Sequence, residues 1–128
     1  MRALLDTHTF FWFIEDNPRL SATAKAVIVD GTNDILLSVA SLWEMAIKIS
    51  LGKLNVSGSF EPYITQQLAA SNIGLLDISL LHVAAVVTLP FHHRDPFDRL
   101  LIAQAQVEQI PLISVDPAFD SYAVHRLW

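Results

Sequence analysis

The sequence predicts an α/β fold: a three-layer α/β/α sandwich built on a mainly parallel central sheet. Three observations lead there. Short apolar runs at Ala3-Leu4-Leu5, Ile35-Leu36-Leu37-Ser38-Val39, Gly74-Leu75-Leu76-Asp77-Ile78 and Leu112-Ile113-Ser114-Val115 are continuous rather than alternating, the mark of strands buried on both faces. Stretches of helical periodicity separate them, as in βα units. The 128 residues are 52% apolar and 16% charged, enough apolar surface for a core and too little charge for disorder. No repeat, low-complexity tract or flexible linker divides the chain, which reads as one domain over residues 1–128.

The elements follow in order. The first strand ends at Asp6, and helices are expected over about Thr7–Glu15 and Ser21–Val29, with Asn17-Pro18 as the break between them. Gly31-Thr32-Asn33 is turn chemistry ahead of the second strand. A helix is expected from Ser41 to about Ser50, with Leu42, Met45, Ala46 and Ile49 on one stripe, Ser41 and Glu44 at capping-box spacing, and Gly52 beyond its end. Another covers about Glu61–Ser71. Ser79 caps a helix over Leu80–Thr88, which stops before Pro90. Asp95-Pro96 opens a helix running to about Gln109, since Asp is a good cap and Pro suits the first helical position. After the fourth strand come Asp116-Pro117, a short helical turn, and a tail over Ala123–Leu127.

Composition narrows the function. With no cysteine, disulfide scaffolds, thiolate metal sites and thiol catalysis are excluded. Thirteen acids against eight Lys and Arg give a formal charge of −5, which argues against a protein that coats nucleic acid with a basic face. The apolar stretch Phe10–Ile14 is too short to span a bilayer, and Asp6 and His8 interrupt a signal-peptide core, so a cytoplasmic protein without membrane contact is expected.

The carboxylates carry the chemistry. Asp6 and Asp116 end the first and fourth strands, and Glu44 lies one turn into the helix after the second. In a parallel sheet these share the rim beyond the carboxyl ends of the strands, where ligands bind. Asp98 precedes a strand, so it reaches that rim only through a bend in the chain. Each acid also has a local explanation as a helix cap or a dipole partner. Brought together, they repel one another unless a cation is present. An all-oxygen set suits Mg²⁺ or Mn²⁺, ions that accept phosphate oxygens and assist phosphodiester hydrolysis.

Four segments resemble PIN-domain ribonucleases, and most closely the VapC-type toxins of bacterial toxin–antitoxin pairs: Leu4-Leu5-Asp6-Thr7-His8-Thr9-Phe10-Phe11-Trp12, Ser38-Val39-Ala40-Ser41-Leu42-Trp43-Glu44-Met45-Ala46-Ile47-Lys48, His93-Arg94-Asp95-Pro96-Phe97-Asp98-Arg99-Leu100-Leu101-Ile102-Ala103-Gln104-Ala105 and Ile113-Ser114-Val115-Asp116-Pro117-Ala118-Phe119. They occur in the family's order and span nearly the whole chain. The resemblance implies a Mg²⁺- or Mn²⁺-dependent endoribonuclease with Asp6, Glu44, Asp98 and Asp116 as its acids. By analogy Asp6 and Asp98 ligate metal directly, while Glu44 and Asp116 act through a second metal or water. Ser114, a supporting residue by the same analogy, falls on the Ser/Thr that in many members precedes the fourth acid by two positions. Asp95 competes for the third place, but the register of Asp98-Arg99-Leu100-Leu101-Ile102-Ala103 favours Asp98. The resemblance also implies a homodimer, and a small antitoxin protein lying across the groove, with Phe11, Trp12 and Trp43 as candidate lining.

Among other residues, Arg94, Arg99 and Lys48 are the RNA-contact candidates, although Lys48 is also at ion-pair spacing from Glu44. His92 and His93 are adjacent and cannot readily ligate one ion from a regular face, and no H-x-x-x-H pair occurs; His8 is a rim residue beside Asp6, and His82 and His125 carry no signal. Two alternatives stand beside the nuclease. One is a catalytically degenerate PIN-like binding module, against which the presence of all four acids weighs. The other is a haloacid-dehalogenase-type phosphatase, whose nucleophile loop needs an Asp where His8 stands.

Overall fold

The computed structural model describes residues 1–128 and contains five strands and six α-helices. Strand β1 (Arg2–Leu5) leads through Asp6 into α1 (Thr7–Ile14), and α2 (Ala22–Val29) follows. Strand β2 (Asp34–Ser38) runs directly into α3 (Val39–Ser50), then come α4 (Phe60–Ser71), β3 (Gly74–Leu76) and α5 (Leu80–Val87). Helix α6 (Pro96–Glu108), β4 (Leu112–Ile113), a 3-10 helix (Pro117–Ser121) and β5 (Arg126–Leu127) complete the chain.

The sheet order is β3-β2-β1-β4-β5 and every pairing is parallel. Side chains alternate across it, so the two faces carry separate cores. Ala3, Leu5, Ile35, Leu37 and Ile113 face one way, against Phe10 of α1, Ala24 and Ile28 of α2, Met45 of α3 and Ile64 of α4. Leu4 and Leu112 face the other way, against Leu101, Ile102 and Ala105 of α6, with Phe119 and Tyr122. This is the three-layer α/β/α sandwich. No helix is long and apolar enough to cross a membrane.

One sequence expectation needs correction. Helix α3 begins at Val39 rather than at Ser41. Its cap is Ser38, which is extended and accepts from the Ala40 amide at 3.0 Å, so Ser41 and Glu44 form no capping box. The tail, given no element in the sequence, contributes a fifth strand: Arg126 and Leu127 pair with Leu112 and Ile113. Strands β3 and β4 are shorter than their apolar runs, β1 gains Arg2, and β2 is shifted back by one residue. Val39 belongs to a helix, and Val115 lies beyond the end of β4 because Ser114 and Asp116 turn the chain into the 3-10 helix.

A buried polar chain ties the layers together. The Ser38 hydroxyl donates to Gln104 Oε1 at 2.6 Å, and Gln104 Nε2 lies 3.3 Å from the Asp77 carbonyl and 3.4 Å from His82 Nδ1. His82 Nδ1 accepts from the Ser79 amide at 3.0 Å, which leaves its Nε2 proton for Glu108 Oε2, also at 3.0 Å. His82, which carries no signal in the sequence, is thus a buried capping-box partner of Ser79, 2% exposed.

Candidate metal centre

The sheet order reverses direction at β1, whose neighbours are β2 on one side and β4 on the other. In open parallel sheets the carboxyl ends of such a pair flank a natural crevice. Asp6 follows β1 and Ser114 follows β4, so the crevice opens between an acid and a hydroxyl. Asp6 is 7% exposed and firmly held: its Oδ1 accepts from the Thr9 amide at 2.8 Å and its Oδ2 from the Ser114 hydroxyl at 2.5 Å. The same Ser114 oxygen accepts from the Asp116 amide at 3.1 Å, which sets the turn that carries Asp116. Thr9 closes the arrangement by donating its hydroxyl to the Ile113 carbonyl at 3.0 Å.

Glu44 enters from α3. Its Oε1 accepts from the Thr7 hydroxyl at 2.7 Å and its Oε2 faces Lys48 Nζ at 3.3 Å, while Thr7 and Ser41 share a 3.0 Å hydroxyl–hydroxyl hydrogen bond. Thr7 and Ser41 are therefore part of the site, and sequence reasoning missed them. No local signal marks them, because their burial beside Glu44 is set by the meeting of α1 and α3.

Asp98 arrives through the bend that the sequence left open. Arg99 makes it: its guanidinium donates to the Pro90 carbonyl at 2.8 Å and the Leu89 carbonyl at 3.1 Å, and lies 4.0 Å from the Phe91 ring centroid. Those bonds fasten the start of α6 to the segment after α5, and the Trp43–Phe97 edge contact at 5.4 Å sets it against α3. Asp95 caps α6, its Oδ1 accepting from the amides of Phe97 (2.8 Å) and Asp98 (3.2 Å).

A cavity of about 170 Å³ results, lined by Asp6, Glu44, Asp95, Asp98 and Asp116 together with Thr7, His8 and Lys48. The concentration of charge is felt most at Asp98. Burial, followed by repulsion from Asp95, Glu44, Asp6 and Asp116, pushes its carboxyl up to about 7. No donor in the protein bonds to that carboxylate, whereas Asp6, Glu44, Asp95 and Asp116 each accept at least one hydrogen bond. A hard divalent cation would relieve this imbalance, and the all-oxygen donor set fits one. No three carboxylate or imidazole groups are yet drawn around a single point, so the acids ring a cavity rather than a preformed coordination sphere.

Two RNA-contact candidates change meaning. Arg99 is 5% exposed and committed to backbone carbonyls, so it is out of reach of RNA and acts as the anchor of α6. Lys48 is in the site but paired with Glu44. Arg94 is exposed and adjoins Asp95 in the chain. His93, given no role in the sequence, stacks on Phe119 at 5.2 Å and places Nε2 3.8 Å from Asp116 Oδ2; neither ring nitrogen is hydrogen-bonded.

The model of the PIN domain matches residues 3–124. The chain belongs to the PIN-domain family. PIN-domain nucleases are in general divalent-metal dependent, in keeping with the donor set of this PIN domain. It is similar to Ribonuclease VapC16 of Mycobacterium tuberculosis (strain ATCC 25618 / H37Rv), 36% identical over 72 residues, 53% of this chain and 51% of that one. This PIN domain thus spans about half the length of the curated relative it matches. Its fold resembles that in the crystal structure of VapBC2 from Rickettsia felis bound to a promoter DNA fragment (TM-score 0.71, 17% identity, 98% of this chain and 97% of that one). It also resembles VapBC-1 from nontypeable Haemophilus influenzae (TM-score 0.68, 14% identity, 98% and 96%).

Proposed function

We propose that this PIN domain is a Mg²⁺- or Mn²⁺-dependent endoribonuclease acting as the toxin of a toxin–antitoxin pair. One observation carries the reading: five acids line one cavity at the reversal point of the sheet, and the carboxyl of Asp98 is pushed up to about 7 by burial and by the other four. Such a site is ill suited to a phosphate backbone until a cation enters.

Asp6 and Asp98 are the direct ligands in this reading. Asp6 is oriented by Thr9 and Ser114 and keeps lone pairs toward the cavity, and Asp98 has no competing hydrogen-bond donor. Both oxygens of Glu44 are engaged, by Thr7 and by Lys48, which suits it to hold a water or an outer ion rather than the central one. Asp116, with Oδ1 tied to the Ala118 amide, lines the same cavity. Ser114 is a positioning residue that links Asp6 to the Asp116 turn. A divalent ion bound there supplies neutralising charge and Lewis acidity to the scissile phosphodiester. Arg94, exposed and next in the chain to Asp95, is the cation this reading offers to a flanking phosphate.

A second surface, away from the acidic cavity, suits a protein partner. Leu80, Val87 and Phe91 are more than four-fifths exposed, Trp43 is 61% exposed, and a groove of about 460 Å³ between α3, α5 and α6 is lined by Trp43, Val83, Val86, Val87, Pro96, Phe97 and Leu100. Apolar exposure on this scale marks a protein interface. We assign it to a second copy of the chain, with a small antitoxin as the further partner that masks the acidic cavity; solved proteins of this fold include VapBC assemblies.

The test is cleavage of RNA by the purified, partner-free protein with Mg²⁺ or Mn²⁺, beside EDTA and Asp6→Asn controls. Cleavage that both controls abolish is expected. Cleavage persisting in EDTA would overturn the metal mechanism, and no cleavage of any RNA with either ion would favour the degenerate binding module.

A further inference from the structure

Trp12 is the large apolar residue of α1 that neither core accounts for. Phe10 is buried in the first core, and Phe11, Phe13 and Ile14 pack against it, yet Trp12 belongs to neither core and stays partly exposed. Its contacts are of another kind. One turn back along the helix is His8, with ring centroids 6.1 Å apart, and His8 lines the acidic cavity. On its other side is Trp128, just after β5, at 5.9 Å, while the Arg19 guanidinium lies 5.9 Å from the Trp12 ring centroid. Ring planes in the two aromatic pairs cross at 51° and 60°, so neither pair is stacked face to face.

Resting on the ribonuclease reading above, we propose that His8, Trp12 and Trp128, with Arg19 beside them, form a base-stacking track along which single-stranded RNA leaves the acidic cavity. Charge favours RNA bases as the occupant. Of eight Lys and Arg, Arg2, Lys25, Lys48 and Arg126 are paired with carboxylates and Arg99 with backbone carbonyls, leaving Arg19, Lys53 and Arg94. Three free cations on a chain of net charge −5 cannot hold an RNA by phosphate contacts alone. Stacking on aromatic faces supplies affinity without charge, and one of the three free cations stands over the track itself. A duplex read by its backbone would need the broad basic face that this chain lacks. An apolar protein segment has a deeper seat in the groove at Trp43 and Val87, on different elements.

The experiment is fluorescence titration with single-stranded octauridylate and octaadenylate in Mg²⁺, in an Asp6→Asn background that leaves the RNA intact. Trp43→Phe removes the third tryptophan of the chain, so emission reports Trp12 and Trp128. Quenching by both oligonucleotides is expected, with affinity falling about 5- to 100-fold in Trp12→Ala and recovering in Trp12→Phe. In the Asp6-intact protein, Trp12→Ala raises KM for RNA far more than it lowers kcat. The track is overturned if Trp12→Ala and Trp128→Ala bind RNA as well as their parent. It is equally overturned if Trp12→Phe fails to rescue while folding normally, or if the variants lose binding to a protein partner with KM for RNA unchanged. Quenching without cleavage by the Asp6-intact protein leaves the track and removes the nuclease reading; cleavage with an unchanged KM does the reverse.

Discussion

Replacing Asp98 by Asn is expected to stabilise the metal-free protein, and to do so only toward higher pH. Burial, then the charges of Asp95, Glu44, Asp6 and Asp116, lift this carboxyl from 3.8 to about 7. Between those values the folded protein keeps a proton that the unfolded chain has released. Stability from this group is therefore complete below about pH 4, falls as pH rises, and is gone once the folded-state value near 7 is passed. At about 1.36 kcal/mol per pH unit the interval corresponds to roughly 4 kcal/mol. The carboxylate is only partly buried, and solvent screening reduces the figure to about 2 kcal/mol. Asn at this first-turn position also forgoes a favourable helix-dipole interaction of about 0.5 kcal/mol.

The variant should thus gain about 1.5 kcal/mol near pH 8, a rise in Tm of roughly 4–8 °C for a domain of this size. The gain should vanish near pH 4. Urea or thermal unfolding in EDTA across that range measures it. Added Mg²⁺ should narrow the gap, because an ion that binds only the folded wild type stabilises it by mass action. An Asp98→Asn protein no more stable than wild type near pH 8, or more stable by the same amount at every pH, would refute the electrostatic account of the site.

Other outcomes follow from the same geometry. Ser114→Ala removes the hydroxyl that holds Asp6 and receives the Asp116 amide, and is expected to weaken activation by Mg²⁺ about 10- to 100-fold in a metal titration of RNA cleavage. Gln104→Leu leaves the Ser38 hydroxyl without its buried acceptor and the Asp77 carbonyl without its donor, at a cost of about 1–3 kcal/mol in urea unfolding. Val87→Glu places a charge on the exposed face of α5; sedimentation should show dissociation to monomer, with urea stability within about 0.5 kcal/mol of wild type.

The fold was legible where burial dictates pattern. The central strands are covered on both faces, so they appear as apolar runs, and Asp95-Pro96 and Ser79 announce their helices by chemistry that acts within four residues. What could not be read depends on distant partners. Strand β5 is two residues at the sheet edge and exists by pairing with β4, without an apolar run of its own. Ser38 and Ser41 are equally good caps in isolation; Ser38 serves because β2 delivers it in extended conformation. Arg99 looks like a rim cation beside two acids, but Leu89 and Pro90 turn it inward. The acids were visible as strand-end and helix-start residues, whereas the hydroxyls of Thr7 and Ser41 that position Glu44 become apparent only when α1 and α3 meet.

The division of the interior into two cores has a mechanical consequence. Asp6 and Glu44 ride on elements rooted in the layer that contains Phe10 and Met45, and Asp98 and Asp116 on elements rooted in the layer that contains Leu101 and Phe119. The acidic cavity is therefore a seam between two slabs, and anything that grips carboxylates from both sides acts as a clasp across it. Slab-wise breathing of the domain would have to undo that clasp, so amide hydrogen exchange in α1 and α6 should slow in concert when the cavity is filled, although these helices lie on opposite sides of the sheet.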